Sequence, residues 1–181
     1  MTETAEKKSA DACTEALRTY GAELLGYLEA IHPPDDAQEV FARACERIWK
    51  GMDGFRGESS LRTWLYVVVS NESKRYLSRP EARRRSETMG SFAAPGTRTA
   101  TPAYRRTGPK EALRAFRDGL PPEERMLLVL RVDRELAWKD VTRALGNGEE
   151  PSATEIARRR KQFERIKEKL AAAAKSEGWI K

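Results

Sequence analysis

Apolar residues in this chain recur every three or four positions, which is the spacing that collects side chains on one face of an α-helix. The clearest series runs through Leu17, Tyr20, Leu24, Leu28 and Ile31. No segment alternates apolar and polar residues in the way that predicts a half-buried strand. The spacing therefore predicts an all-α fold.

Prolines and glycines divide the first 80 residues into three predicted helices. Pro33 and Pro34 end the first helix, because proline cannot continue a helix interior and disfavours helical geometry in the residue before it. Asp35 then opens a second helix, where negative charge suits the positive end of the helix dipole. Glycines interrupt the chain after that helix, and a third helix is predicted from about Ser60 to Leu77.

Residues 80–108 separate two predicted lobes, at residues 12–79 and 109–178. This middle segment is basic and has few large aliphatic residues, so it buries too little surface to offset the entropy of ordering. We expect a flexible linker that, fully extended at about 3.3 Å per residue, reaches about 95 Å and can hold the lobes apart.

Charge differs along the chain: residues 1–79 carry 11 Lys/Arg against 13 Asp/Glu, whereas residues 109–181 carry 17 against 13.

The second lobe has the pattern of a helix-turn-helix. A helix is predicted through Trp138 and Leu145, and the glycine after it is a common helix-ending residue. Ser152 and Glu155 then form a capping box, in which each side chain accepts a hydrogen bond from the other residue's amide. The following helix is basic, with eight Lys/Arg and three Asp/Glu between residues 152 and 175. This pattern predicts DNA contact, and a merely solvated charged helix is the alternative.

Composition excludes several classes of protein. The net charge of +6 and the pI of about 9.4 favour an acidic partner such as nucleic acid. The longest uncharged apolar run, Trp64 to Val69, is far shorter than the ~20 residues of a membrane span, and the polar start does not resemble a signal peptide. Cys13, Cys45 and His32 are too scattered for a zinc site. We expect a cytoplasmic, non-enzymatic protein without metal or cofactor, since no nucleophile–base pair or phosphate-binding loop is found.

Two sequence strings carry a family resemblance. They are DDAQEVF at residues 35–41 and FRGESSLRTWL at residues 55–65. Together they resemble regions 2.2 to 2.4 of bacterial sigma factors of the extracytoplasmic-function subgroup. The string LPPEERMLLVLR at residues 120–131 is similar to the opening of region 4 in that family. The resemblance covers about residues 12–79 and 109–178, and it implies two helical domains joined by a linker.

The resemblance implies that the second predicted helix docks on the β′ clamp of core RNA polymerase. Asp35 and Glu39 lie four residues apart, hence on one helix face, and an exposed acidic face can pair with a basic surface. The alternative is an N-terminal turn suited only to the helix dipole. The residues assigned to polymerase binding are Asp35, Gln38, Glu39 and Arg43.

The second string is expected to open and read the promoter −10 element. Its short polar loop has room for a base extruded from the duplex, whereas the alternative is a simple helix N-cap by Ser59 or Ser60. Cations at the end of the third helix suit phosphates, and equally suit the negative end of a helix. The residues assigned to the −10 element are Arg56, Glu58, Ser59, Ser60, Arg62, Lys74 and Arg75.

The last helix occupies the place of the family's −35 reader. Arginine binds guanine edges and glutamine binds adenine, and both side chains also bind phosphate. The residues assigned to the −35 element are Ser152, Thr154, Glu155, Arg158, Arg159, Lys161, Gln162 and Arg165.

The function implied is promoter recognition and transcription initiation with core RNA polymerase. The implied partners are the β′ clamp, the β flap, double- and single-stranded promoter DNA, and an anti-sigma protein. Three features depart from what is usual in the family. The segment between Phe41 and Phe55 is about one helical turn longer, the turn at 146–153 is longer, and the linker is basic where family linkers are often acidic. A stand-alone helix-turn-helix regulator, whose first lobe senses a ligand or dimerises, is the alternative.

Overall fold

The computed structural model describes residues 2–80 and 115–176, with side chains from residue 10 onward. All regular elements in these ranges are helical, which confirms the all-α prediction. They are α1 (Thr2–Glu29), α2 (Pro34–Gly51), a 3-10 turn (Met52–Gly54), α3 (Leu61–Leu77), a helical stretch at 115–118, α4 (Pro122–Leu128), a π-helical turn (Val129–Asp133), α5 (Trp138–Leu145) and α6 (Ala153–Ser176). Nearly all of the predicted linker, and the ends of the second predicted lobe, lie outside the described residues.

Helices α1, α2 and α3 pack together as the first lobe. As predicted, α1 ends before the proline pair, and α2 begins with Pro34 in its first turn, where a missing amide hydrogen costs nothing. Leu24, Val40 and Leu65 are fully buried between the three helices. The ring of Tyr27 packs edge-on against Tyr66 with ring centres 5.4 Å apart. Burial of these side chains supplies the main stabilisation of the lobe.

Helix α3 is apolar on more than one side. Leu65 and Val69 lie on one face of the helix and Val67 lies nearly opposite, yet all three are buried. A helix with apolar residues on all sides must be covered on all sides. Helix α5 of the second lobe covers the side of α3 that α1 and α2 leave open.

Helices α4, α5 and α6 form the second lobe. Met126, Leu130 and Val141 are fully buried, and Ile166 of α6 packs into the same core. After the π-helical turn, the backbone passes through a left-handed conformation at Glu135, with φ of 54°. Non-glycine residues rarely adopt this conformation, so tertiary packing fixes the turn into α5.

The described parts of the two lobes pack directly against each other. Arg125 Nη1 donates a hydrogen bond to the Ile31 carbonyl oxygen at 3.2 Å, between α4 and the end of α1. Arg62 Nη2 donates to the Arg134 carbonyl oxygen at 2.9 Å, between α3 and the turn before α5. The sequence predicted that the lobes can be held apart. The structure has them in contact, because the apolar surface of α3 needs a cover.

Candidate functional site

The exposed face of α2 carries the residues expected to bind polymerase. Asp35, Gln38, Glu39 and Arg43 are all exposed, as the helical spacing predicted. The charges on this face are partly paired within the protein. Glu39 Oε1 accepts hydrogen bonds from Arg43 Nη2 at 2.7 Å and from Arg79 Nη1 at 3.3 Å. The face is therefore less acidic than its sequence suggested.

The loop before α3 combines a left-handed glycine with an N-cap. Gly57 has a φ of 73°, which favours glycine and turns the chain toward the helix. Ser60 Oγ accepts a hydrogen bond from the Thr63 amide at 3.0 Å, so the N-cap alternative holds for Ser60. Arg56 and Glu58 stay exposed, and Ser59 Oγ donates only to the adjacent Ser60 carbonyl oxygen at 3.3 Å. Three of the assigned loop residues thus present side chains that can meet a partner.

Arg62 of α3 is held by an acidic residue of α1. Its guanidinium forms an ion pair with Glu23, and the Tyr66 hydroxyl donates to the same carboxylate at 2.8 Å. Burial raises the pKa of Glu23, but the hydrogen bonds from Arg62 and Tyr66, with the charges of Arg62 and Arg134, lower it below its usual value overall. Glu23 is therefore ionised at neutral pH and fixes the direction of Arg62.

The two cations at the end of α3 differ in environment. Lys74 Nζ donates to the Leu145 carbonyl oxygen at 2.6 Å, at the end of α5. Burial lowers the pKa of Lys74, the nearby charge of Arg159 lowers it further, and Glu123 raises it. Arg75 is exposed, and its Nη1 lies 3.5 Å from Glu72 Oε2. Of the two cations, only Arg75 is exposed to solvent.

The start of α6 is held by the predicted capping box. The Ser152 amide donates to Glu155 Oε2 at 2.7 Å, and the Glu155 amide donates to Ser152 Oγ at 3.2 Å. These two assigned residues thus have a structural role at the N-terminus of the helix. Trp138 of α5 and Phe163 of α6 meet edge-on with ring centres 5.4 Å apart, which fixes the angle between the two helices.

Along α6 the assigned residues divide between an exposed stripe and the side that packs on α5 within the second lobe. The stripe consists of residues spaced four, three and four apart, namely Thr154, Arg158, Lys161 and Arg165, all of them exposed. In contrast, Arg159 is half-buried, with hydrogen bonds to Gln162 Oε1 at 3.0 Å and to the Leu145 carbonyl oxygen at 3.4 Å. The exposed stripe is the part of α6 that can enter a groove of DNA.

One residue at the centre of the lobe contact was missed by the sequence analysis. Arg143 is 5% exposed, and its Nη1 donates to the Glu58 carbonyl oxygen at 2.7 Å while its Nη2 pairs with Glu150. It ties the second lobe to the loop before α3. Its helical position beside buried Thr142 and Ala144 is a weak signal, because an arginine on an amphipathic helix usually faces solvent.

The described residues contain neither a cluster of candidate metal ligands nor a helix long and apolar enough to cross a membrane. In the same part of the chain, the exposed loop before α3 and the exposed faces of α2 and α6 carry charged and hydrogen-bonding side chains. Such surfaces suit the binding of polymers with complementary charge.

Comparison with known proteins finds similarity to RNA polymerase sigma factors. The model of the sigma-70 region 2 family matches residues 17–84. The chain is 27% identical over 142 residues to the RNA polymerase sigma factor YlaC of Bacillus subtilis (strain 168), covering 77% of this chain and 82% of that protein. It is 29% identical over 124 residues to the ECF RNA polymerase sigma-E factor of Escherichia coli (strain K12), covering 64% of this chain and 63%, just under two thirds, of that protein. The sigma-E factor of Salmonella typhi matches with the same identity and coverage.

The region 2 match coincides with α2, the loop and α3, which hold most of the candidate surface residues. The relatives extend the similarity beyond this region. The chain therefore contains a sigma-70 region 2 domain, and over most of its length it is similar to RNA polymerase sigma factors, among them ECF sigma-E factors.

Proposed function

We propose that the chain binds core RNA polymerase through α2, reads the −10 element with the loop before α3, and reads the −35 element with α6. The observation that carries this proposal is the exposed loop at residues 56–60, which opens α3 within the part of the chain that matches region 2. Binding to polymerase and to two DNA elements directs transcription initiation from a chosen promoter. Such a role belongs in the cytoplasm and requires no cofactor.

Helix α6 supports the assignment of −35 recognition. Arg158 and Lys161 lie on the exposed stripe within three turns of the capped N-terminus, the part of a recognition helix that enters the major groove. An arginine that reads a guanine contributes ~1–3 kcal/mol of discrimination, whereas a phosphate contact strengthens all sequences alike. Arg165 lies further along and is proposed to bind phosphate. Arg159 and Gln162 can contact DNA only if the hydrogen bonds that they make within the protein are replaced by hydrogen bonds to DNA.

The loop before α3 supports the assignment of −10 recognition. Gly57 leaves space, while the exposed Glu58 and the Ser59 hydroxyl can bond the edge of an extruded base. Ser60 contributes mainly by capping α3, and this cap holds the loop at the helix end. Arg56 is free to approach the DNA backbone.

Two cations that are assigned to the −10 element also contact the second lobe. Arg62 and Lys74 donate hydrogen bonds to carbonyl oxygens of the second lobe. Promoter phosphates can engage them only when the two lobes move apart. We therefore propose that the packed arrangement belongs to the free protein, and that binding to polymerase or to an anti-sigma protein selects among lobe arrangements.

The polymerase-docking role is tested by reversing charge on α2. In Asp35→Lys/Glu39→Lys, two acidic residues of the face become basic, which weakens association with a basic partner surface. The matched control is Asp11→Lys/Glu15→Lys on α1, which reverses another exposed pair with the same spacing. Affinity for core RNA polymerase, measured by biolayer interferometry, is expected to fall in the α2 variant only. Equal affinities in both variants, with unchanged thermal unfolding, would remove the docking role of α2.

A further inference from the structure

Trp49 of α2 is an exposed tryptophan on a rigid helix. Its side chain is 53% exposed, and Val132 is the other large hydrophobic residue that is exposed in the described part of the chain. Tryptophan buries a large area when it meets a partner and loses little conformational freedom, so it is enriched at the centres of protein interfaces.

Trp49 lies on the same face of α2 as the proposed docking residues. Gln38, Ala42, Cys45 and Trp49 follow spacings of four, three and four, so they line one stripe of the helix. At a rise of about 1.5 Å per residue, Trp49 lies about 16 Å beyond Gln38 along that stripe. The tryptophan thus extends the docking face toward the C-terminal end of α2.

The helical turn that carries Trp49 is firmly anchored. Ile48 is fully buried and Met52 nearly so, and they fix the turn against the core of the lobe. Arg47 forms an ion pair with the buried carboxylate of Glu72 on α3. The turn falls in the segment between Phe41 and Phe55, and these contacts hold Trp49 in a fixed position.

Most of the charges on this face are paired within the protein. Glu39 is bonded to Arg43 and Arg79, and Glu46 Oε1 lies 2.5 Å from Lys50 Nζ. Exposed pairs of this kind leave little net charge for a partner, and each one contributes little affinity. Electrostatic attraction through Asp35 then guides association, while buried apolar area supplies the affinity.

We propose that Trp49 is the apolar anchor of the α2 face and packs against the core RNA polymerase surface that this face binds. The inference rests on the proposed docking role of α2. It requires that the polymerase surface present aliphatic side chains about 16 Å from the side chain that contacts Gln38. A second copy of this chain is the competing occupant.

The test compares Trp49→Ala with a matched control, Val132→Ala, which removes from the second lobe the other large hydrophobic side chain that is exposed in the described residues. Affinity for core RNA polymerase is measured by biolayer interferometry, and folding by thermal unfolding. Trp49→Ala is expected to weaken binding by about tenfold or more, as truncation of an interface tryptophan does. Trp49→Phe should recover part of the affinity, and Val132→Ala should bind like the wild type. All variants should unfold at the wild-type temperature.

The outcomes separate this inference from the proposed function. If Trp49→Ala binds normally while Asp35→Lys/Glu39→Lys does not, the anchor is wrong and docking through α2 stands. If both bind normally, docking through α2 is wrong as well. Should Trp49→Ala convert a dimer into a monomer in light scattering without changing polymerase affinity, a second copy of the chain is the occupant and the inference is overturned.

Discussion

Lys74 Nζ donates a hydrogen bond to the Leu145 carbonyl oxygen across 2.6 Å, and so joins α3 of the first lobe to the C-terminal end of α5 in the second. The Gly146 carbonyl oxygen lies 3.4 Å from the same nitrogen. A cation at this place suits the negative end of the α5 dipole. The same ammonium group is proposed to bind promoter phosphate, so the lobe contact competes with the DNA contact for it.

Lys74→Ala should weaken promoter binding by the chain–polymerase complex without changing sequence preference. A lost phosphate contact lowers affinity for all sequences alike. It also reduces by about one the slope of the logarithm of affinity against the logarithm of salt concentration. The slope is measured by fluorescence anisotropy of labelled promoter DNA across salt concentrations. Arg18→Ala, which removes an exposed cation of α1, should leave the slope unchanged. Equal slopes for wild type and Lys74→Ala would show that Lys74 serves the lobe contact alone.

The turn between α5 and α6 packs so closely on α3 that it requires glycine. Gly148 has a φ of 90°, and a Cβ added there would lie 2.9 Å from Val67 Cγ1. Gly148→Ala should lower the free energy of unfolding by about 1–3 kcal/mol, through backbone strain and overpacking. Gly54→Ala is the control, because a Cβ at Gly54 meets nothing within 4 Å. If urea unfolding gives both variants the same free energy of unfolding, the close packing of the turn between α5 and α6 on α3 is contradicted.

Local features of this fold could be predicted from the sequence because neighbouring residues determine them. The proline pair sets the start of α2, and Ser60 and the Ser152–Glu155 box cap α3 and α6 within four residues of themselves. Helical spacing likewise predicted the exposed face of α2. In each case the hydrogen bonds or the exposure depend on residues within one helical turn.

The contact between the lobes could not be predicted in the same way. Arg143 and Glu58 are 85 residues apart, and nothing near either of them indicates the hydrogen bond that joins them. The left-handed backbone at Glu135 likewise runs against local preference, because non-glycine residues rarely adopt it. The one available signal was the apolar run at residues 64–69, which needs a cover on two sides.

The capping box makes a quantitative prediction for the second lobe. Ser152→Ala removes the acceptor for the Glu155 amide and should cost about 1 kcal/mol of unfolding free energy. Ser176→Ala at the other end of α6 is the control, since its hydroxyl bonds only the Ala173 carbonyl oxygen at an exposed helix end. Thermal unfolding of both variants checks the difference. A loss as large in Ser176→Ala would show that the cap has no special role.

Stability should fall in mildly acidic solution because of His32, the sole histidine of the chain. Its Nε2 lies 2.6 Å from Ser73 Oγ inside the first lobe. Burial lowers the pKa of His32 to about 4, while the charge of Asp36 raises it and that of Arg125 lowers it. In the unfolded chain the pKa is about 6.5, so between about pH 6.5 and pH 4 the unfolded state binds more protons.

The contribution of His32 to the free energy of unfolding is thus fully present above about pH 6.5 and is lost as the pH falls. We expect the free energy of unfolding to be about 2 kcal/mol lower at pH 5 than at pH 8. Urea unfolding at these two pH values measures it. His32→Asn should be less stable at pH 8 but should lose less between pH 8 and pH 5. A variant with the same pH dependence as the wild type would show that other groups cause the loss.

Transcription from genomic DNA tests the central claim most directly. Core RNA polymerase of the source bacterium, freed of its own sigma factors, is incubated with sheared genomic DNA with and without this chain, and the 5′ ends of the RNA are sequenced. The account predicts that the chain creates discrete start sites that share two upstream sequence elements, and that the sites disappear with Asp35→Lys/Glu39→Lys. RNA ends that are the same with and without the chain, although the chain binds DNA, would contradict the account and favour a stand-alone regulator.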